Sequence, residues 1–234
     1  MRVWDVAPGY LNRGSLLGEH REIHGIAAIL AHGKRGYSRH PETLRWQRCE
    51  HGLLQRHLLL VAEMRLRGYR HHSPMALRVA ARRWPNAFVT EPADQFSLLR
   101  SKYHRLESGR IGLPRSTQEL WSQHKYSVMA RDTELYRNLG RRVSRLRRMS
   151  GFRELSAELV AILRNPPSFR RAVNAVEHMW GHVSRYASRG ERRTTVDPWQ
   201  LLQRTQELAR RVNEPFICGS TALSELAVCL DASG

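Results

Sequence analysis

The chain has 234 residues and carries 39 Lys plus Arg against 21 Asp plus Glu, a formal charge of +18. That length allows one large domain or two small ones, and no apolar run approaches the roughly 20 residues that a spanning helix needs. Cys49, Cys218 and Cys229 are an odd number without metal-type spacing, which argues against a disulfide framework and for a reducing, cytoplasmic setting. The N-terminus, Met-Arg-Val-Trp-Asp, lacks the apolar core of a signal peptide. Only Lys34, Lys102 and Lys125 are lysines; the other basic residues are arginines. Guanidinium groups grip phosphates in two-pronged fashion and stack on bases, so the composition points to nucleic acid. An arginine-biased genome is the alternative source. It explains an exchange of Arg for Lys more easily than a surplus of 18 charges.

The chain begins Met1-Arg2. A large second residue leaves an initiator methionine in place with a free α-amine. Such an amine titrates near roughly 8, against about 10.4 for lysine, so it is the best unperturbed amine nucleophile available at neutral pH. The first helix carries an apolar stripe of Leu16, Ile23, Ala27 and Leu30 and ends at Gly33. On another face Glu22 has Gly18 four residues before it and Gly25 three after. Each glycine costs a helix about 1 kcal/mol relative to alanine. Bare space around a carboxylate is one return on that cost; loose packing against a neighbouring helix is the other. A carboxylate beside an α-amine is the minimum for Schiff-base chemistry.

The loop 33–41 gathers Lys34, Arg35, Arg39 and His40 around glycines and Tyr37, a composition suited to phosphate contacts. The periodicity then predicts a helix over 48–67, with Leu53, Leu54, Leu58, Val61 and Met64 as core candidates and Gly68 as its stop. Residues 84–92 read as a connector. Further helices are expected over 93–107, 117–130, 133–148, 152–164, 168–187, 198–212 and 220–229, with breaks at Gly109–Pro114 and Asn165–Pro167. In 168–187, Phe169, Val173, Val176, Trp180, Val183 and Ala187 form a continuous seam opposite Asn174, His178, His182 and Arg185. No strand pattern is present. The fold class is all-α.

His20 and His24 flank Glu22, and His178 and His182 repeat the same one-turn spacing. The order His-Arg-Glu-Ile-His is not that of a zincin, and the sequence offers neither pair a third ligand. Contacts to phosphate are the favoured role for these histidines. Trp46, Tyr37 and Tyr69 could stack on an exposed base, although aromatic residues at such positions more commonly fill a core. Lys125 is the rival amine, because burial can lower a lysine enough to make it a nucleophile; a structural hydrogen bond between helices is its alternative role.

Several pieces of the first stretch resemble the pyrimidine-dimer DNA glycosylases, the phage-type endonuclease V group and its bacterial relatives. They are Met1–Asp5, Leu16–Glu22, His32-Gly33-Lys34, Gly36–Pro41 and Leu60–Tyr69, in family order and spacing. The resemblance runs from Met1 to about Gly68 and reaches toward Pro114. It implies that the α-amine of Met1 attacks C1′ of a damaged nucleotide, that the glycosidic bond breaks to leave an imine, and that β-elimination can cut the strand. It also implies that Glu22 is the central catalytic carboxylate and that Arg2 and Arg21 contact phosphates around the lesion. The partner would be duplex DNA holding a damaged pyrimidine, with an extruded base. The family's active-site arginine, three or four residues after the glutamate, has no counterpart, because His24 and Gly25 stand there. A Gln-His pair just before the helix is replaced by Gly14-Ser15. These departures bear on lesion specificity more than on chemistry.

A second resemblance covers about Leu120 to Leu226. Trp121–Ala130 with its His124-Lys125-Tyr126 centre, Tyr136–Arg141, Asn174–Gly181 and Phe216–Gly219 are similar to the YbgA-like family, a helical domain of unknown function. His124, Lys125, Asn174 and His178 are the polar residues that match its motifs.

The expectation is therefore two packed helical domains, a glycosylase-like domain over 1–115 and a YbgA-like domain over 116–234. Its function would be DNA repair by a glycosylase with abasic-site lyase activity. Met1 and Glu22 would be catalytic, and Arg2, Arg21, Lys34, Arg35, Arg39 and His40 would hold DNA. His124, Lys125, Asn174 and His178 would form a second site. No metal or cofactor is required by that chemistry. Two alternatives stay open: a non-catalytic nucleic-acid-binding protein, and an enzyme acting on a modified base or nucleoside through Lys125 or His124.

Overall fold

A computed structural model of the chain describes residues 1–33, 35–193 and 197–231. Lys34 lies outside the described residues. Among those described, all regular structure is helical, as the periodicity requires. Among the described residues, no helix is long and apolar enough to cross a membrane. The chain divides into two compact units, Met1–Gly109 and Arg110–Gly234.

In the first unit, a 3-10 turn at Pro8–Tyr10 leads into α1 (Arg13–His32), followed by α2 (Pro41–Trp46), α3 (Glu50–Leu66) and α4 (Pro92–Lys102). The Asn12 side chain accepts from the Ser15 amide at 2.8 Å and starts α1. Gly33 stops it in the left-handed region at φ 61°. Leu16, Ile23 and Ile26 of α1, Leu53 and Leu60 of α3, Trp46, and Phe96 and Leu99 of α4 are buried in this unit. Residues 67–91 join α3 to α4 without helix or strand.

The second unit holds α5 (Thr117–Met129), α6 (Thr133–Ser144), α7 (Phe152–Leu163), α8 (Phe169–Val183), α9 (Arg189–Arg193), α10 (Pro198–Arg211), α11 (Pro215–Cys218) and α12 (Ala222–Leu230). Helix α5 packs on α6 and α7, and α8 packs on α10 and α12. Side-chain caps start α5 (Ser116), α6 (Asp132), α10 (Asp197) and α11 (Glu214).

Several expectations need correction. Pro41–Trp46 is a helix capped by His40, whose Nδ1 accepts from the Glu42 amide at 3.2 Å. A proline at the first helical position suits that start. Gly14 and Ser15 lie in the first turn of α1 rather than before it. Leu58 is 37% exposed, and Leu30 and Leu54 are half-buried. Phe169 is 49% exposed, so the seam of α8 runs instead through Ala172, Ala175, Val176, Met179 and Val183. Small residues are what allow the close approach to α10 and α12. Helices α4 and α6 stop at Lys102 and Ser144, short of the expected ends.

Candidate active site

The first six residues are irregular and would fray without anchors. Buried ion pairs hold them. Glu19 of α1 takes Arg56 of α3 in a two-pronged pair, at 2.6 Å from Nε and 2.9 Å from Nη2, and accepts the Trp4 amide at 3.1 Å. Arg56 also donates to the Val6 carbonyl at 2.9 Å. Burial pushes the Glu19 carboxyl up, while the Arg56 guanidinium and the Trp4 N–H pull it back. One residue along, Asp5 pairs with Arg45 of α2. Gln95 of α4 donates to the Asp5 carboxylate at 2.9 Å and accepts its amide at 2.8 Å. The clamp draws on all four helices of the unit.

The clamp delivers Met1 to α1. Its thioether accepts from the Thr43 hydroxyl at 3.5 Å, and its methyl lies 3.9 Å from where a Cβ on Gly25 would stand. The α-nitrogen sits 4.0 Å from Oε1 of Glu22, longer than a direct hydrogen bond. The Met1 side chain is 7% exposed and that of Glu22 39%, so the carboxylate is open to an incoming molecule. Both flanking glycines act as space. A Cβ at Gly18 would meet nothing within 4 Å, and one at Gly25 only the Met1 methyl.

These groups line an open cleft of about 510 Å³ with Arg2, Trp4, Gly14, Ser15, Gly18, Glu19, Leu98 and Lys102. The Arg2 guanidinium stacks over Trp4 at 5.0 Å and donates to the Thr90 hydroxyl at 3.3 Å. The cleft thus joins an amine, a carboxylate, two cationic side chains and an aromatic face. Arg21, Arg35 and Arg39 are exposed, as phosphate contacts require, and Lys34 is outside the described residues. His40 is half-buried and occupied as a helix cap. Tyr37 is 65% exposed and free to stack, whereas Trp46 is 1% exposed and belongs to the core. Sequence reasoning gave no role to Lys102, Trp4 or Glu19, although Trp4 and Glu19 lie inside the motifs Met1–Asp5 and Leu16–Glu22 and Lys102 is one of three lysines in an arginine-rich chain.

In the second unit, His124 is 4% exposed. Its Nδ1 donates to the Leu120 carbonyl at 2.8 Å, and burial pushes it down to about 4. It is buried in the helical core, on a different side of α5 from the Lys125 ammonium. Lys125 faces elsewhere. Its ammonium lies 4.1 Å from the centre of Phe216 and 5.0 Å from that of Tyr126, and burial lowers its pKa. His182 stacks on Phe216 at 5.0 Å and meets the Tyr126 hydroxyl at 2.7 Å. His178 is exposed and Asn174 half-buried. A separate shallow pocket of about 400 Å³ is lined by Trp121, Tyr136, Arg137, Gly140 and Arg141.

A search of the curated proteins and a search of the solved structures each return no match to the chain. Comparison with family models finds two matches. Residues 125–214 match the family described as protein of unknown function, DUF1722, whose members are YbgA-like. Residues 1–77, the stretch that holds the Met1–Glu22 pair, match the family of pyrimidine dimer DNA glycosylases.

Proposed function

We propose that the chain is a DNA repair glycosylase with abasic-site lyase activity, acting on damaged pyrimidines in duplex DNA, with pyrimidine dimers as the first substrate to try. The observation that carries this reading is the α-nitrogen of Met1 at 4.0 Å from an accessible Glu22, inside a segment that matches the glycosylase family. A clamp of two buried ion pairs on an otherwise irregular terminus is costly to build. A reactive terminus needs that positioning, because displacement by about 1 Å can cost ~10²-fold in rate.

In the proposed reaction Glu22 accepts a proton from the α-ammonium. The freed amine attacks C1′, forming the C–N bond as the glycosidic bond breaks; the base departs with its electron pair and takes up a proton released by the newly bonded nitrogen. Glu22 then passes a proton to the ring oxygen, the sugar opens, and an imine remains. Loss of a C2′ proton expels the 3′-phosphate, and water releases the amine. Arg2 and Lys102 line the cleft where phosphates would lie; Arg21, Arg35 and Arg39 extend the contact surface.

Borohydride reduction of the enzyme mixed with abasic duplex should trap a covalent adduct, and peptide mapping should place it on the Met1 nitrogen. An adduct on Lys102 would move the nucleophile within the same cleft, and one on Lys125 would move it to the second unit. No adduct at all would leave only DNA binding. Intact mass must show a free Met1 amine in the sample used. Glu22→Gln should keep duplex affinity while slowing turnover about 10²–10⁴-fold.

A further inference from the structure

Helix α1 shows Glu22 to the cleft, but residues two apart on a helix point about 200° apart. His20 and His24 therefore face the other way, toward α3. There they meet His57 of α3 and His71 of the irregular connection 67–91. Neighbouring ring centres are 4.7 Å apart for His20–His24, 5.0 Å for His20–His57 and for His24–His57, 5.1 Å for His20–His71 and 5.3 Å for His57–His71. One nitrogen from each ring lies within 4.8 Å of the other three.

We propose that His20, His24, His57 and His71 form a binding site for one divalent transition-metal ion, with zinc as its occupant. The donor set is right for it, since imidazole suits zinc, and a structural zinc takes four ligands tetrahedrally at about 2.0–2.1 Å. Such a site puts ligand nitrogens about 3.3–3.4 Å apart. His20 Nε2 and His71 Nε2 are already at 3.1 Å, and all four ligand nitrogens lie within 4.8 Å of one another.

The polar atoms left unpaired make an independent case. Nε2 of His24 and both ring nitrogens of His57 are buried without a hydrogen-bond partner, and His57 is 2% exposed. Buried polar atoms are nearly always paired, yet orphaned nitrogens on two of the four rings fall within this one cluster.

The ion's task is structural. It faces away from Glu22, and its four ligands tie α1, α3 and the start of a long connection together. Long stretches without secondary structure are uncommon inside a compact domain, and this one would gain a fixed point.

The test uses the full chain, stripped with a chelator and titrated with cobalt(II) and then zinc(II). One equivalent of cobalt should bind with the intense visible absorption of a tetrahedral site, and zinc should displace it. Zinc should raise the melting temperature and protect 67–91 from proteolysis. His24→Gln and His71→Gln should each weaken binding by more than the ~10–100-fold typical of an outer-shell partner. His71 lies in the irregular connection and is half-buried, so its variant remains informative even if changes at His57 prevent folding. His104→Gln, at an exposed histidine outside the cluster, should leave metal binding unchanged. Failure of both metals to bind at micromolar concentration would overturn the proposal, as would binding undiminished by His24→Gln and His71→Gln.

Discussion

Glu19 and Glu22 stand three residues apart on α1 and do opposite work. Glu19 is 2% exposed and spent on Arg56 and the Trp4 amide, whereas Glu22 faces solvent and the α-nitrogen. Removing one member of a buried pair leaves the other charge stranded, so Arg56→Ala should destabilise the protein by about 3–5 kcal/mol, measured by urea unfolding. Glu22→Gln should leave stability unchanged in the same assay. The sequence made Glu22 legible through its flanking glycines and motif, but not Glu19. A glutamate reveals a buried partner only when the helix that carries the partner is placed beside it. His57 and His71 were hidden for the same reason, being 37 and 51 positions from His20 along the chain. Neither i,i+4 histidine pair announces a third ligand.

At the scale of elements, periodicity located nearly every long helix, because an apolar stripe leaves its mark whatever it packs against. It placed α8 but shifted part of its buried seam, where small residues pack closely, and it missed α2, a short helix that rests on a cap. Gly109 marks another such approach. A Cβ there would stand 2.4 Å from the Tyr10 carbonyl carbon and 2.6 Å from the Gly9 oxygen, backbone atoms that cannot rotate away. Gly109→Ala should cost at least about 1–3 kcal/mol, read as a lower melting temperature. In α5, His124 carries a pH dependence. Folding pushes it down to about 4 from an ordinary 6.5, so between those values the unfolded chain holds the extra proton. The stabilisation is complete above pH 6.5, falls as pH drops toward about 4 and changes no further below. Its full size is about 3 kcal/mol. Denaturant unfolding at pH 7 and pH 4.5 should show the loss, and His124→Asn should reduce it.

Across the whole molecule, on the proposed reading, the surplus of 18 positive charges would set how DNA is met rather than which lesion is chosen. Affinity for duplex should fall about 10³-fold or more between ~50 and ~200 mM salt if six or more phosphates are neutralised. Fluorescence anisotropy with undamaged duplex reads this directly; a flat salt response would show that the arginines are not a DNA surface. Composition alone carried that expectation. It could not say that cationic side chains would be gathered beside the first nitrogen, since the cleft is made by residues 1–22 together with Leu98 and Lys102.

The slot that Thr43 and Gly25 make for the Met1 side chain gives Arg2 a duty unrelated to phosphate. On the proposed reading, in which Met1 supplies the terminal amine, peptidases that trim an initiator before a small residue would shorten an Arg2→Ala chain by one residue. The new terminal nitrogen would then start up to about 3.8 Å further back along the backbone, and the thioether's berth would be vacant. A dead Arg2→Ala enzyme would thus report a mis-set chain length, while Arg2→Gln, which keeps the bulk, isolates the guanidinium.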